Sequence, residues 1–377
     1  MDFDLGAFEG DLRTLVNIDS GSTCVEGVNE VASWFSRRFE ALGWPVVIEE
    51  PKPGLFGKSV FTWHGDPLAL DLLVICHLDT VFPAGTAARR PFEVSGDRYL
   101  GPGVADMKAG CLMALNSMEL LHRAGRLHGS VGVFFNGEHE LSCPNTRASI
   151  EAKSRAAKVV VTTEPARADG SCVRQRKGVL RYTIQFHGRS AHSGVDPEKG
   201  VCAVTEMARM ILALKKLADP EAGISINPGL VKGGVSVNAV PDFAECRLDV
   251  RVNRPDDARR LDAAIRRMAD HPVDPGVRID LSGGITRPPM IPNDRSEELI
   301  RGINRIARGY GLDLGWSFSG GGSDASFASA FGIATLCGLG PVGGGYHTER
   351  EYIEVPGLRE RMCVFRDMVE AICHGTI

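Results

Sequence analysis

Hydrophobic positions along the first half of the chain follow two rhythms. Near the start, Phe8, Leu12, Leu15 and Val16 recur at three- and four-residue spacing, which predicts an amphipathic helix. Residues 68–76 (LALDLLVIC) form an almost unbroken apolar run, as expected of a strand buried on both faces. Residues 105–124 return to helical spacing through Met107, Cys111, Leu112, Leu115, Met118 and Leu121, and stop at Gly125. Residues 129–135 (GSVGVFF) and 157–163 (AKVVVTT) are again strand runs. Strand and helix in alternation predict an α/β fold with a mostly parallel, twisted sheet and helices on both faces.

The pattern then changes. In 179–187 (VLRYTIQFH), Tyr182, Ile184 and Phe186 alternate with Arg181, Thr183, Gln185 and His187, the signature of a half-exposed strand in an antiparallel sheet. A helix is expected at 198–217, strands at 224–231 and 244–252, an Arg/Asp-rich amphipathic helix at 256–270, and a strand at 277–282. That β-α-β-β-α-β order is the ferredoxin-like split arrangement. From about 295 the helix and buried-strand rhythm returns (ELIRGINRIARGYG, then FGIATLCGLG) and closes with a helix near 356–373. The expected organisation is a catalytic domain of residues 1–175 and 289–377 with a smaller domain, 176–288, inserted in it. Both crossings are rich in Gly, Pro and basic residues.

Composition narrows the function classes. A chain of 377 residues suits two domains. A net charge of -4, with no basic run, gives no electrostatic reason to expect nucleic acid or an anionic membrane as partner. The acidic N-terminus, MDFDLGAFEG, lacks the basic and apolar regions of a secretory signal, and no apolar stretch reaches transmembrane length. Ten scattered cysteines without a CxxC pair read as thiols in a reducing compartment. A cytoplasmic location is the expectation.

Candidate chemistry collects where the buried strands end. The run at 68–76 leads into His77 and Asp79, and the run at 129–135 into Glu138, His139 and Glu140. The run at 157–163 leads into Glu164, and an expected strand at 333–337 into a Gly-rich loop reaching His347. Asp106 is expected to open the helix at 106–124. In open α/β sheets, ligands bind outside the carboxyl ends of the strands. Each signal alone is a common pattern. Together they bring imidazoles and carboxylates to one edge, a donor set suited to two borderline divalent cations such as Zn²⁺.

Here the sequence resembles the co-catalytic zinc exopeptidase family, which includes glutamate carboxypeptidase, aminoacylase, acetylornithine deacetylase and succinyl-diaminopimelate desuccinylase. It looks most like the glutamate carboxypeptidase branch. The stretches that carry the resemblance are CHLDTVFPAGTAARRPF, GPGVADMKAG, GRSAHSGVDPEKG, VKGGVSVNAVPDFAECRLDVR and FSGGGSDASFASAFGIATLCGLGPVGGGYHTEREYIEV, which span about residues 70–360.

The resemblance implies a metal-dependent hydrolase of an amide or amide-like C–N bond in a small, carboxylate-bearing substrate. It implies two divalent ions, with Zn²⁺ expected and Mn²⁺ or Co²⁺ as the other candidates. His77 and Glu164 would bind one ion, Glu140 and His347 the other, and Asp106 would bridge them. Asp79 would orient the imidazole of His77. The peptide between Asp106 and Met107 would be cis. In the inserted domain, His192 would polarise the scissile carbonyl in a partner subunit, which implies a homodimer or higher homo-oligomer. Asn238 and Arg251 would contact substrate, and Gly320, Gly321 and Gly322 would let backbone N–H groups approach its carboxylate. Asp324 is expected to hold that loop.

One segment departs from the family pattern. In relatives, two adjacent acidic residues follow the second strand: the first is the general base, the second a metal ligand. In FFNGEHEL (134–141), Glu140 falls on the ligand position and His139 on the base position, with Glu138 before them. Three readings stand: His139 is the base; His139 is a further metal ligand, and Glu138 or water moves the proton; or ordinary peptidase activity is lost. The third includes hydrolysis of a non-peptide C–N bond, as in an aromatic amine, or a non-catalytic carboxylate-binding protein. The turn at Leu141–Asn145, and Cys337 where this branch tends to carry Asp, are further departures.

Overall fold

The computed structural model describes residues 3–50 and 52–377. The chain divides into two compact units. The first comprises 1–175, 290–319 and 323–377; the second comprises 176–289 with 320–322.

In the first unit, a six-stranded sheet has the order Val46–Glu49, Ser59–His64, Val131–Asn136, Leu70–His77, Ala157–Thr162, Ala334–Leu336. The last four run parallel to their neighbours, and the first two join by antiparallel pairing. The sheet is therefore mixed and mostly parallel, as expected. Its central strand shows why the apolar run is continuous. Leu72, Val74 and Cys76 enter one core with the helices Leu5–Val16, Val25–Glu40, Ala109–Arg123 and Leu358–Cys373. Leu73 and Ile75 enter the other, against Ile150, Phe327 and Ala328. With side chains alternating between faces, a strand covered on both sides keeps polar residues to its ends, here Asp71 and His77. The first helix buries Phe8, Leu12, Leu15 and Val16, the four residues of its periodic pattern.

One expectation needs correcting. Asp106 does not open a helix. Val104–Lys108 is an irregular turn in which Asp106 (φ -116°, ψ 86°) and Met107 (φ -137°, ψ 40°) leave helical geometry, and regular helix runs from Ala109 to Arg123. The sequence reads as helical from here because the buried Met107 lies in step with the apolar positions of the helix that follows. The Asp106–Met107 peptide is cis. The helix start lies hard against the sheet: a Cβ on Gly110 would stand 2.0 Å from the Thr163 carbonyl oxygen, so only glycine allows this approach.

The second unit follows the order strand Gly178–His187, helix Ala203–Lys215, strands Ser225–Gly233 and Phe243–Val252, helix Pro255–Asp270, strand Arg278–Arg287. Its four strands pair antiparallel around Gly178–His187 and Phe243–Val252, and Tyr182, Ile184 and Phe186 fill its core. Among the described residues, no helix is long and apolar enough to cross a membrane.

Candidate metal centre

His77 is the last residue of the central strand, so its direction is set by the sheet. Its Nδ1 lies 2.9 Å from the backbone carbonyl oxygen of Asp79, and its Nε2 lies 3.1 Å from Asp106 Oδ1. His347, in the left-handed region at φ 60°, brings Nε2 to 3.2 Å from Asp106 Oδ2 and 3.5 Å from Glu140 Oε1. Asp106 thus offers one oxygen to each imidazole. Glu164 follows the strand Ala157–Thr162 and is buried. Two triads gather their donor atoms within 4.8 Å: His77, Asp106 and Glu140; and His77, His139 and Glu164.

The charges explain what this pocket needs. Burial alone would raise the Asp106 pKa, but hydrogen bonding to His347 and His77 outweighs it and holds the carboxyl well below its ordinary range. Burial also works against charge on Glu140, and His347 again outweighs it. The contacts with Asp106 and then Glu140 lift the His347 pKa to about 10. Asp79, wholly buried, is pushed upward by desolvation first. Buried carboxylates facing one another are costly unless positive charge joins them. Imidazole nitrogens and carboxylate oxygens in this number fit two borderline divalent ions, so the donor set passes this chemical test.

Asp79 contacts His77 as expected, through its backbone more closely than its carboxylate, and Glu138 is turned away from the cluster. The Asp79 carboxylate accepts hydrogen bonds from the backbone N–H groups of His139 and Glu140, each at 3.0 Å, and from the Ser22 hydroxyl at 2.7 Å. Its oxygen is 3.6 Å from His77 Nδ1, so its backbone carbonyl makes the shorter contact to that ring. Asp79 therefore anchors the backbone that carries both His139 and Glu140. Glu138 is fully buried and does not join the cluster. Its oxygens accept from the Asn145 N–H at 2.7 Å, from Asn145 Nδ2 at 2.9 Å and from the Thr146 N–H. Those bonds shape the turn before the helix Arg147–Arg155.

His139 does join the cluster. Its Nε2 is 3.6 Å from Glu164 Oε1, its Nδ1 is 2.9 Å from Asp324 Oδ1, and its ring stacks on His77. Reading the sequence missed Glu351, a buried carboxylate that accepts from the N–H groups of Gly103 (3.0 Å), Ala105 (2.9 Å) and Asp106 (2.9 Å) and so holds the turn carrying Asp106. Burial, then the nearby Asp106 charge, raises its pKa to about 7. Its only local clue is its place four residues after His347.

The second unit holds the remaining expected residues at two separate ends. His192 and Asn238 are exposed neighbours: His192 bridges to Ala239, and the Ser193 N–H donates to the Asn238 carbonyl. Arg251 sits near the other end of the strand Phe243–Val252, its Nε and Nη2 on the two oxygens of Asp249 at 2.7 and 3.0 Å. Its Nη1 is 3.4 Å from the Gly320 carbonyl oxygen. Gly320 and Gly321 are exposed, and a Cβ on Gly322 would meet Arg287 Cδ at 2.8 Å.

A mostly parallel α/β unit with imidazoles and carboxylates at its strand ends, in a chain that also forms a separate antiparallel unit, is the make-up of a metal-dependent exopeptidase. The chain belongs to peptidase family M20/M25/M40, whose pattern matches residues 73–371. It is similar to carboxypeptidase G2 of a Pseudomonas species, 28% identical over 360 residues, covering 93% of this chain and 86% of that protein. Its fold resembles that of the aminopeptidase PepT of Bacillus cereus, with a TM-score of 0.77, 21% identity and coverage of 98% and 99% of the two chains. It also resembles the family M20 metallo-carboxypeptidase Sso-CP2 of Sulfolobus solfataricus, with a TM-score of 0.76, 17% identity and coverage of 99% and 100%. The chain is therefore a hydrolase of the metallopeptidase type.

Proposed function

We propose that this protein hydrolyses an amide or amide-like C–N bond in a small substrate bearing a carboxylate, in the manner of a carboxypeptidase, aminoacylase or deacylase. The observation that carries this reading is Asp106 between two imidazoles, with Oδ1 3.1 Å from His77 and Oδ2 3.2 Å from His347. His77 and Glu164 would hold one divalent ion, Glu140 and His347 another, and Asp106 both; Zn²⁺ suits these donors best. When bound, such ions supply carbonyl polarisation and a water of lowered pKa.

The chain's own residues do the rest. His139 Nε2 takes a proton from the attacking water as its oxygen bonds to the carbonyl carbon. His139 then gives that proton to the leaving nitrogen as the C–N bond breaks. Arg251, already fixed in orientation by Asp249, and the N–H groups of Gly321 and Gly322 receive the substrate carboxylate.

His192 and Asn238 complete the oxyanion and substrate contacts of a second copy. Support for that arrangement comes from within the inserted unit. A ten-residue strand separates the His192/Asn238 end from the Arg251 end, and such a strand is about 30 Å long. One copy of this unit does not present both ends to one small molecule, which favours a homodimer. A cytoplasmic location fits the scattered, mostly buried cysteines.

A second reading rests on His139 itself. Two cations oppose an imidazolium more than a neutral carboxylic acid, so a leaving group that needs less protonation, such as an aromatic amine, suits this site. One experiment separates the readings. The full-length chain is loaded with Zn²⁺, Mn²⁺ or Co²⁺, its metal content is measured, and it is offered N-acyl amino acids, dipeptides and N-aryl amides, with and without a free carboxylate. The expected result is up to two ions per chain and C–N hydrolysis that is lost when the carboxylate is amidated. Zero metal under every loading condition, or binding without hydrolysis of any substrate, overturns the proposal.

A further inference from the structure

We propose that Asp324 is a positioning residue for His139: it holds the imidazole in its Nδ1–H tautomer and so presents Nε2, with its lone pair, to the cluster at Glu164 and His77. The proposal rests on the reading that His139 accepts the proton of the attacking water.

The argument begins with what surrounds the Asp324 carboxylate. Asp324 stands before the short helix Ala325–Ser329, a position where an aspartate side chain commonly caps the helix, yet this one makes no capping bond. Its side chain is instead turned to donors from another part of the chain. Oδ2 accepts from Asn136 Nδ2 at 2.7 Å. Oδ1 accepts from the Cys143 thiol at 3.0 Å and lies 2.9 Å from His139 Nδ1. Asp324 is 2% exposed and His139 is 8% exposed. An ionised carboxylate only accepts, and of the two carboxylates facing the ring, Asp324 at 2.9 Å is within hydrogen-bond distance of Nδ1 whereas Glu164 at 3.6 Å is beyond it from Nε2, so the hydrogen of a neutral His139 belongs on Nδ1. Its Nε2 then has no hydrogen and can accept.

Ring orientation follows from two restraints at right angles. The hydrogen bond to Asp324 fixes rotation of the ring in its own plane. The stack on His77, with centroids 4.1 Å apart and planes 7° apart, fixes the plane itself. Nε2 is left 3.6 Å from Glu164 Oε1, on the side where the ligand atoms of His77 and Glu164 converge. A glutamate at position 139 would present an acceptor oxygen in either flip of its carboxylate. A histidine presents an acceptor only in one tautomer, so its use there requires a partner at the far nitrogen. The turn of residues 141–145, which departs from the family pattern, supplies Cys143 to that partner. Cys143 holds a left-handed backbone, φ 56°, to do so.

The test reads the tautomer directly. Full-length protein labelled with ¹⁵N at histidine, both zinc-loaded and chelated, is observed by long-range ¹H–¹⁵N correlation. His139, one of ten histidines, is assigned by the signal lost in His139→Gln. The expected wild-type result is a protonated Nδ1 and an unprotonated Nε2 in the chelated protein. Asp324→Asn is expected to move the hydrogen toward Nε2 and to lower kcat on the order of 10²–10⁴-fold, the range for a carboxylate behind a catalytic histidine, with KM and metal content held. An Nε2–H tautomer in the wild type overturns the proposal, and that measurement needs no variant to fold. An unchanged tautomer and kcat in Asp324→Asn overturn it as well. If His139→Gln leaves kcat intact while the tautomer responds to Asp324→Asn, the proton-acceptor reading fails and the positioning by Asp324 stands.

Discussion

The imidazole of His139 lies flat on that of His77, with ring centroids 4.1 Å apart and planes inclined by 7°. The two rings share one edge of the site, so the effect of removing one on the other is measurable. His139→Ala is expected to reduce kcat on the order of 10²–10⁴-fold, the usual range for losing a general base, while the chain keeps its metal. Turnover and metal content measured on the same samples check this. Lost metal with mildly changed turnover assigns His139 to the cation instead.

His139→Glu puts a carboxylate where a proton acceptor is proposed. The expected outcome is a rise in kcat/KM for ordinary dipeptides relative to N-aryl amides. Parallel assays of both substrate types on wild type and variant provide the check. A uniform fall across both would show that position alone does not set the role.

Glu138 is expected to matter for stability and little for turnover. Its carboxylate accepts from Asn145 twice and from the Thr146 N–H, all out of water. Glu138→Gln turns one acceptor into a donor that faces these donors, which should cost about 1–3 kcal/mol. Denaturant unfolding should show this loss, and kcat of the folded variant should stay within a few-fold. A large drop in kcat with unchanged stability would return Glu138 to the chemistry.

Glu351 holds Asp106 through the backbone, with N–H donors at 2.9–3.0 Å from Gly103, Ala105 and Asp106. Glu351→Gln should weaken divalent-ion affinity by roughly 10–100-fold, as losses of such outer partners do. Competition with a chromophoric chelator would measure it. Unchanged affinity would mean that the turn holds Asp106 without help.

Metal uptake should depend on pH through His347. Asp106 and then Glu140 lift its pKa to about 10, so in the chelated protein this ring is protonated at neutral pH. A ligand imidazole must be neutral, so each ion that takes this ring displaces a proton. The sign follows: apparent affinity should climb as pH rises from 6 to 9, by about one decade per pH unit for each proton released. Above the His347 pKa the slope should flatten. Titration calorimetry in buffers of different ionisation enthalpy would count the protons. Affinity independent of pH over that window would contradict the assignment of His347.

Much of the fold is legible in the sequence because it is local. The almost unbroken apolar run at 68–76 shows a strand covered on both faces, and the alternation of Tyr182, Ile184 and Phe186 shows one covered on a single face. These patterns reflect side-chain direction along the backbone, which neighbouring residues set by themselves. Asp106 shows the limit. Its neighbours are buried and lead into a regular helix, but Asp106 and Met107 adopt non-helical torsions under a turn held by Glu351, 245 residues further along the chain.

The sequence alone determined that His77, Glu140, Glu164 and His347 lie at strand ends or in the loops that follow them, and that a histidine occupies position 139. Only the tertiary structure decided which way 138 and 139 face. Glu138 turns to the backbone at 145–146, and His139 turns to Glu164, His77 and Asp324. The Asp79 carboxylate, 60 residues before His139, anchors that choice through the 139 and 140 amides. Hydrogen bonds between residues so far apart in the chain leave no periodic trace in it, because they are set by where packed elements meet.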